Sequence, residues 1–584
     1  MAALPKKKKT VMIVLIAVLA AAAALTAVYF AARGPSARDF YFKAESKSFK
    51  LYADWIKKKY ADFVGDQQPY LTTDYRKRME LTAEVSAGDG KPFGMENASG
   101  IFDLVRRCKL IFDTKHSPAG KKSLAEISLL FEKTPFADAE VFTDDRQLYF
   151  TVPVLTPDRY FTFDTDRIDQ VYDRFGIPVK PQKIFTSSEA AKMLKFEPEP
   201  FDKGTAGLGK FITGLIDEGD ISFGNKTELT LSGEKVSARE VMVRLDGRKS
   251  GELLKGLAQV YAADKDLMAY TFGNAAGLSG LLDQAGLFRL FEYLDKTGSV
   301  VLSDSEKKLV SAANIKSDAD GFAKSVTDMA GSLSFPDGLS MKLIIDNSGN
   351  IWDRTLDASF VNTRSNKSYK AAVHTGATSI RVDDCRNRFV EVTVDSKDSA
   401  GKDYRSVISL RSAFAPTGKS GDESGEIDLA LSSGANGAEQ SSTSLKLELS
   451  GSTDAATLKR KDICKYTLEM AYAGMDRSNV ISGEVDTESS RNKKLNARNW
   501  TTDATIRAVM PSFGVNDFSA AVRMVREDRF DIGAFELPTV NASTTVDLNT
   551  ASEEELSKVQ EEILASFGVF YITNKPIIDA VLGQ

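Results

Sequence analysis

Polar and apolar side chains alternate with a period of two along much of this chain, the signature of strands with one buried face. The alternation begins at "RMELTAEVS" (78–86) and continues through "CKLIFDT" (108–114) and "SLAEISLLFEK" (123–133). It then runs through "AEVFTDDRQLYFTVPVLTPDRYFTFD" (139–164), where Asp144-Asp145 marks a turn and Pro153 and Pro157 bound an excursion between aromatic strands. A connector follows, with "IPVKPQK" and "FEPEPFDKGTAG" as proline-containing breaks on either side of "SSEAAKMLKF", and strand patterning resumes at 227–245. A block with three- and four-residue apolar spacing over 250–331 predicts helices, loosened by glycines at 277, 280 and 286. A hairpin follows at 338–360. Residues 367–530 then read as a long antiparallel series, with Ile427, Leu429 and Leu431 on one strand and Leu445, Leu447 and Leu449 on the next. Cys464, Tyr466, Leu468, Met470 and Tyr472 line one face of a third. The polar stretches "APTGKSGDESGE" and "SSGANGAEQSSTS" read as hairpin tips, and the sheet as having one face covered and one wet.

Two segments near the N-terminus break the alternation. Val11 to Ala32 is a run of 22 uncharged residues, long enough to cross a hydrocarbon core as a helix. Lys6, Lys7, Lys8 and Lys9 precede it, and Tyr29 and Phe30 fit an interfacial aromatic belt. The positive-inside rule then places the N-terminus in the cytoplasm and the body outside, as a single-pass protein of the cell membrane. A cleaved signal peptide is the competing reading. The second segment, "ARDFYFKAESKSFKLYADWIKKKYADF", predicts an amphipathic helix with Phe42, Phe49, Tyr52, Trp55, Ile56 and Phe63 on the packing face.

The expected fold class is therefore α+β: a transmembrane helix, then large curved antiparallel sheets packed on helices. The expected organisation is a cytoplasmic basic tail (1–10), the transmembrane helix (11–32), and a first α+β unit (36–220). A second unit (221–545) would hold the helical block 250–331 and a β-rich part 338–530, followed by a helical tail (546–584).

Composition narrows the function. In 584 residues, 42% are hydrophobic and 27% charged, as in a folded protein, and the net charge of −5 argues against general nucleic-acid binding. Cys108, Cys385 and Cys464 offer no paired metal-binding spacing, although a bridge between Cys385 and Cys464 stays open. His116 and His374 are the two histidines, far apart and expected on strands or at the surface. No cofactor and no metal are expected.

"DDRQLYFTVPVLTPDRYFTFD" is similar to the corresponding stretch of extracytoplasmic half-barrel proteins of the lipoprotein-carrier type, over about Lys77 to Asp164. That resemblance implies a strongly curved sheet whose concave face can hold an apolar ligand. A strand–helix–strand order that recurs around 77–220 and 227–530 suggests a duplication. In layout the whole chain resembles uncharacterised membrane-anchored envelope proteins of Gram-positive bacteria. "VDLNTASEEELSKV" (546–559) resembles the opening of a helix-hairpin-helix DNA-binding module, but the hairpin glycines are missing. Seven acidic residues from Val546 to Gln584 stand against Lys558 and Lys575, the wrong sign for phosphate. The stretch reads instead as a helix capped by Ser552, with Glu555 as capping-box partner.

No catalytic spacing emerges. "GLGKFITG" (207–214) lacks the hydroxyl and upstream glycine of a phosphate loop. Asp346, Ser348 and Asn350 invite a calcium loop, but Asp357 stands where a bidentate glutamate belongs, and turn geometry explains them. Adjacent pairs such as Asp144-Asp145 and Asp383-Asp384 read as charged turns. The expectation is a non-catalytic, membrane-anchored extracytoplasmic protein binding a lipid or other apolar ligand. A structural or protein-interaction role in the envelope is the alternative, and an enzyme without a recognisable motif the second alternative.

Overall fold

The computed structural model describes residues 36–87, 98–157, 159–175, 198–231, 234–264, 327–328, 330–363, 367–379, 385–397, 402–417, 422–454, 457, 459–473, 478–492, 494–511 and 515–575. Their organising element is one β-sheet. Its first ribbon comprises β1 (Tyr75–Ala87), β2 (Cys108–Ser117), β3 (Lys122–Phe131), β4 (Thr134–Asp144), β5 (Gln147–Thr151) and β6 (Tyr160–Asp164), paired successively antiparallel. The second starts at β7 (Ile221–Leu231) and β8 (Glu234–Leu245) and passes to β10 (Leu339–Asp346) and β11 (Ile351–Asn362). The short β9 (Leu333–Ser334) lies in line with β10 against β11. From there β12 (Lys367–Ala377), β13 (Arg388–Lys397), β14 (Asp403–Pro416), β15 (Glu423–Ala435) and β16 (Ala438–Asp454) add one by one. β17 (Lys459–Tyr472), β18 (Asn479–Asn492), β19 (Ala497–Met510) and β20 (Val515–Phe530) complete the series.

The two ribbons are one sheet because β20 pairs with β1 along its whole length, from Tyr75↔Phe530 to Ala87↔Phe518. A last strand, β21 (Thr545–Asp547), adds parallel to β6. Among the described residues β7 pairs with β8 alone and β21 with β6 alone, so the sheet is open. This corrects the expected fold class. A single β-rich sheet replaces the duplicated half-barrels, and its order places β1, from near the start of the expected first unit, against a strand near the end of the second.

The N-terminal transmembrane helix and the single-pass localisation drawn from it are also corrected. No helix among the described residues is long and apolar enough to cross a membrane. The longest, α1 (Ala37–Thr72), carries Asp39, Glu45, Asp54, Lys57, Lys58, Lys59, Asp62 and Asp66, far too much charge for a bilayer interior. Residues 11–32, with Tyr29 and Phe30, and the lysines 6–9 lie outside the described residues.

The remaining helices are α2 (Ala98–Arg107), α3 (Ile168–Arg174), α4 (Pro198–Leu215), α5 (Gly247–Ala263) and α6 (Glu553–Thr573). The break predicted at "FEPEPFDKGTAG" is in fact the start of α4. Pro198 and Pro200 fall in its first turn, where a missing N–H costs nothing. The helical block is seen as α5 and a fragment near Ala330, while 265–326, with Gly277, Gly280 and Gly286, lies outside the described residues, as do "IPVKPQK", "SSEAAKMLKF" and Asp383-Asp384.

The larger core forms where the start of α1, with α4 and α5, covers β8 and β10 to β13. Tyr41, Phe42, Ile212, Leu254, Val241, Leu343 and Phe360 are almost fully buried there, each side chain contributing roughly 1.5–3 kcal/mol. A tight corner joins β8 to α5 and β10. Gly338 has φ +73°, and a Cβ there would lie 2.1 Å from the Leu245 carbonyl oxygen. Gly338→Ala is expected to lower stability by about 2 kcal/mol, read by chemical denaturation, because left-handed strain and a backbone clash add.

Several local readings hold. The Asp346 carboxylate accepts from Asn350 N (2.8 Å), Asn350 Nδ2 (2.7 Å) and Trp352 Nε1 (3.1 Å), which is turn chemistry. His116 and His374 sit on β2 and β12. Cys108, Cys385 and Cys464 are in no disulfide among the described residues. "SSGANGAEQSSTS", expected as a loop, is instead strand on both sides of a two-residue Asn436-Gly437 turn with positive φ at both, the hairpin geometry Asn-Gly favours.

A second, smaller core explains "VDLNTASEEELSKV". Val546 on β21 is fully buried with Phe161, Val171, Leu548 and Val559. Asn549 Oδ1 accepts from Asp164 N at 2.8 Å, and Ser552 Oγ accepts from Glu555 N at 3.1 Å, capping α6. The reciprocal bond from the Glu555 side chain is not among those described. The segment docks the C-terminal helix on the edge of the sheet.

Candidate ligand-binding face

Strand register sorts the side chains of β14 to β20 and β1 to β3 onto two chemically different faces. On one, Leu429, Leu445, Leu468, Ile481 and Ala508 lie side by side across five strands. The same face continues in other rows through Ala504↔Val522↔Ala83 and Met524↔Leu81↔Leu110↔Leu129. On the other face Lys446 pairs with Glu426 (2.9 Å) and Glu448 (3.2 Å), Lys461 with Asp486 (2.7 Å) and Arg507 with Asp517 (3.1 Å). Those exposed pairs add little stability, but they fix which face water prefers.

The apolar face is covered at its two ends and half-open between them. Its β10–β13 part belongs to the large core, and its β6 end to the small one. In between, Leu445, Leu468, Ile481 and Ile506 are half-buried, and Leu431 (41%) and Val522 (40%) are exposed. A covered face was expected here; Leu410 (42%), on the same face, is exposed as well.

At its start α1 is tied by Glu45 to Arg354 on β11, by the Leu51 carbonyl to Cys385 Sγ (3.8 Å), and by Tyr52 to the Arg388 guanidinium (5.9 Å). At its end Tyr70 donates to Asp528 on β20, and Asp66 pairs with Arg498 on β19 (3.7 Å). Between these ties Ala53 is buried, Lys57 pairs with Asp202 on α4 (2.9 Å), and Asp54, Ile56, Lys58, Lys59, Ala61, Asp62 and Gly65 are exposed; the Tyr60 and Val64 side chains lie outside the described residues. Ile56 was expected on the packing face; Phe42, from the same prediction, is buried, and the Phe63 side chain lies outside the described residues. From Glu45 to Tyr70 the helix spans roughly 38 Å at 1.5 Å per residue. From β11 to β20 the sheet spans roughly 43 Å at 4.8 Å per strand. The helix is the shorter path, as a chord is to an arc, so the sheet curves between the ties, and its half-open apolar stretch forms a shallow trough along that curve.

Glycines shape that trough. Tyr466 lies directly opposite Gly483, where an added Cβ would sit 2.6 Å from its hydroxyl, and the same hydroxyl donates to the Thr505 carbonyl at 3.0 Å. Phe414 covers Gly425 in the same manner. A ring laid flat over a glycine keeps the backbone sheltered while the sheet curves. Beside Phe414 is a depression of about 250 Å³ lined by Leu449, Cys464 and Val485, with Glu423, Arg460 and Thr487 at its border.

The two ties differ electrostatically. Glu45 is fully buried; burial pushes its carboxyl up to about 7, against the opposing pull of the Arg354 charge and hydrogen bond and of Tyr41. Tyr70 is shifted far upward by burial, by its hydrogen bond to Asp528 and by that carboxylate's charge, so it stays a donor well into alkaline pH. Sequence patterning located the apolar face but neither tie. Glu45 falls at a helix position a heptad count assigns to the core, and that conflict was the available signal.

No group of His, Cys, Asp and Glu side chains among the described residues is arranged to hold a metal ion. Asp144-Asp145 forms a turn in which Asp145 has φ 54°. "GLGKFITG" is helical, within α4.

No protein-family profile matches the chain. No curated protein matches it either. Among solved structures it is similar to OmpTdeltaL8, an outer membrane protein of Vibrio cholerae, at 6% identity, covering 78% of this chain and 98% of that one, with a TM-score of 0.17. It is similar to Pseudomonas aeruginosa OpdQ at 7% identity, covering 78% and 97%, with a TM-score of 0.18. The third is Wzi of Escherichia coli, a carbohydrate-binding β-barrel of the outer membrane involved in group 1 capsule assembly: 6% identity, 85% and 89%, TM-score 0.19. At these TM-scores the likenesses carry no argument about this chain.

Proposed function

We propose that the protein is a non-catalytic binder of an apolar ligand, held along the half-open apolar face beneath α1. One observation carries the reading: an apolar face continues from strand to strand across the sheet, and between the strands to which the two ends of α1 are tied it leaves Leu410, Leu431 and Val522 exposed. Half-exposed leucines, isoleucines and valines in unbroken register cost free energy in water that an apolar occupant recovers, at roughly 25 cal/mol for each Å² covered. An apolar surface of this extent on a folded chain marks a binding site.

The test is photo-crosslinking of the full-length chain with a diazirine-bearing long-chain fatty acid, followed by peptide mapping. Adducts are expected on the apolar-face residues of β15 to β20 and β1, and Leu468→Arg is expected to reduce them by about tenfold or more, since it places an unpaired charge in the trough. Adducts scattered over both faces, or unchanged by Leu468→Arg in a variant that melts normally, would overturn the reading. They would leave a structural or interaction role in its place.

A further inference from the structure

Where α1 meets β19, β20 and β1, the trough ends in a different chemistry. A cavity of about 500 Å³ is lined by Tyr70, Tyr75, Lys77, Arg498, Trp500 and Arg526, with Asp66 and Gln67 at its mouth. Register explains the cluster: Trp500↔Arg526↔Met79 form one row across three strands, and Arg498↔Asp528↔Lys77 the next. One step further into the sheet on the same face, the row is Thr502↔Met524↔Leu81. The cationic cavity and the apolar trough are therefore consecutive stretches of one surface.

The charges do not balance locally. Asp528 is fully buried and committed to Tyr70 and Arg526, with Arg526 Nε at 2.8 Å. Asp66 is exposed and paired with Arg498 at 3.7 Å. Among the described residues no carboxylate lies within salt-bridge distance of Lys77. Burial, then the neighbouring Arg526, push the Lys77 ammonium below its ordinary range, and Asp528 only partly offsets them. Arg526 lies 4.6 Å over the Trp500 ring, so its guanidinium is held flat. A half-buried ammonium beside two guanidinium groups, walled by aromatic rings, is electrically short of an anion.

We propose that this cavity holds the anionic head group of an amphipathic ligand whose hydrocarbon chain runs into the trough over Met79, Met524 and Leu81. This deepens the proposed function and rests on it. The head group's oxygens would accept from Lys77 and from the free edge of the arginines, and its chain would cover the half-buried thioether and leucine surface. A carboxylate and a phosphate monoester share this chemistry.

The experiment compares four probes on the full-length chain: a long-chain fatty acid, the fatty alcohol of the same length, a lysophospholipid with a terminal phosphate, and inorganic phosphate alone. Competition against the crosslinking fatty acid gives each relative affinity, for the natural chain and for Lys77→Gln. The acid is expected to outcompete the alcohol roughly tenfold, and Lys77→Gln to erase that preference without changing the melting temperature, because a charge-assisted bond is lost while the apolar contact remains. Preference for the phosphate over the carboxylate would assign the head group within the same proposal. Equal competition by acid and alcohol, unaltered by Lys77→Gln, would overturn the head-group site and leave the apolar reading standing. Equal competition by inorganic phosphate would overturn it in favour of a small-anion site. Failure of every chain-bearing probe would remove both.

Discussion

Replacing Arg354 by methionine is expected to lower stability by about 3–5 kcal/mol at pH 8 and by about 1–2 kcal/mol at pH 5. Methionine fills the space of the Arg354 stem but leaves the fully buried Glu45 carboxyl without its only described cationic partner. The folded-state value of Glu45, about 7, stands above its ordinary 4.5. Its contribution to stability is therefore complete below about pH 4.5 and is lost as the pH rises through 7. In Arg354→Met the opposing pull is gone and the upward push is unchecked. At pH 8 the protein must either bury a naked carboxylate or take up a proton against the bulk; at pH 5 Glu45 is already largely protonated and only a hydrogen bond is missing. Urea denaturation at the two pH values gives the difference directly. Equal losses at both would mean that Glu45 does not titrate in this range.

At the other end of α1, Asp528→Ala is expected to cost about 3 kcal/mol and to free the last turns of the helix. Asp528 is inaccessible to water and accepts from Tyr70 and twice from Arg526. Without it a tyrosine hydroxyl and a guanidinium lose their acceptor, and Tyr70 no longer holds the edge-on packing against Tyr75 and Phe530 at 5.2 and 5.0 Å. Hydrogen exchange should quicken in residues 64–72 while the first turns of α1, anchored by Tyr41 and Phe42, stay protected. Uniform deprotection of α1 would contradict the two separate ties. Because the upward-shifted Tyr70 keeps its proton, the natural chain should hold this tie from neutral pH up to the ordinary tyrosine range near 10, above which its contribution declines.

Period-two patterning made the strands legible because each strand of this sheet has one wet face and one apolar face. The shared face of Leu445, Leu447 and Leu449 could be read directly, as could the Asp346–Asn350 turn and the Ser552 cap. Serine-rich strands were not legible: Ser433 and Ser441 carry the same ladder with a hydroxyl contact of 2.7 Å, and polarity alone had assigned them to a loop. The helix at Pro198 was missed because proline breaks a helix interior but is welcome in its first turn. The meeting of β1 with β20 was invisible, since pairing partners so distant in sequence leave no local trace. The same holds for the candidate site. The apolar rows were readable strand by strand, whereas Lys77, Trp500 and Arg526 converge only through that distant pairing.

The pairing of β1 with β20 also sets a schedule for biosynthesis. Tyr70 and Asp528, which meet in the finished fold, are 458 residues apart. At roughly 5–20 residues per second, on the order of half a minute passes between the emergence of β1 and that of its partner. Throughout that interval the β1–β6 ribbon waits with one flank unpaired, open to any other nascent strand. The sequence of β1, "YRKRMELTAEVSA", answers that hazard: the charged side chains of Arg76, Lys77, Arg78, Glu80 and Glu84 keep the waiting flank hydrated. The ammonium placed beneath α1 in the mature protein thus serves first as a guard on an orphaned edge.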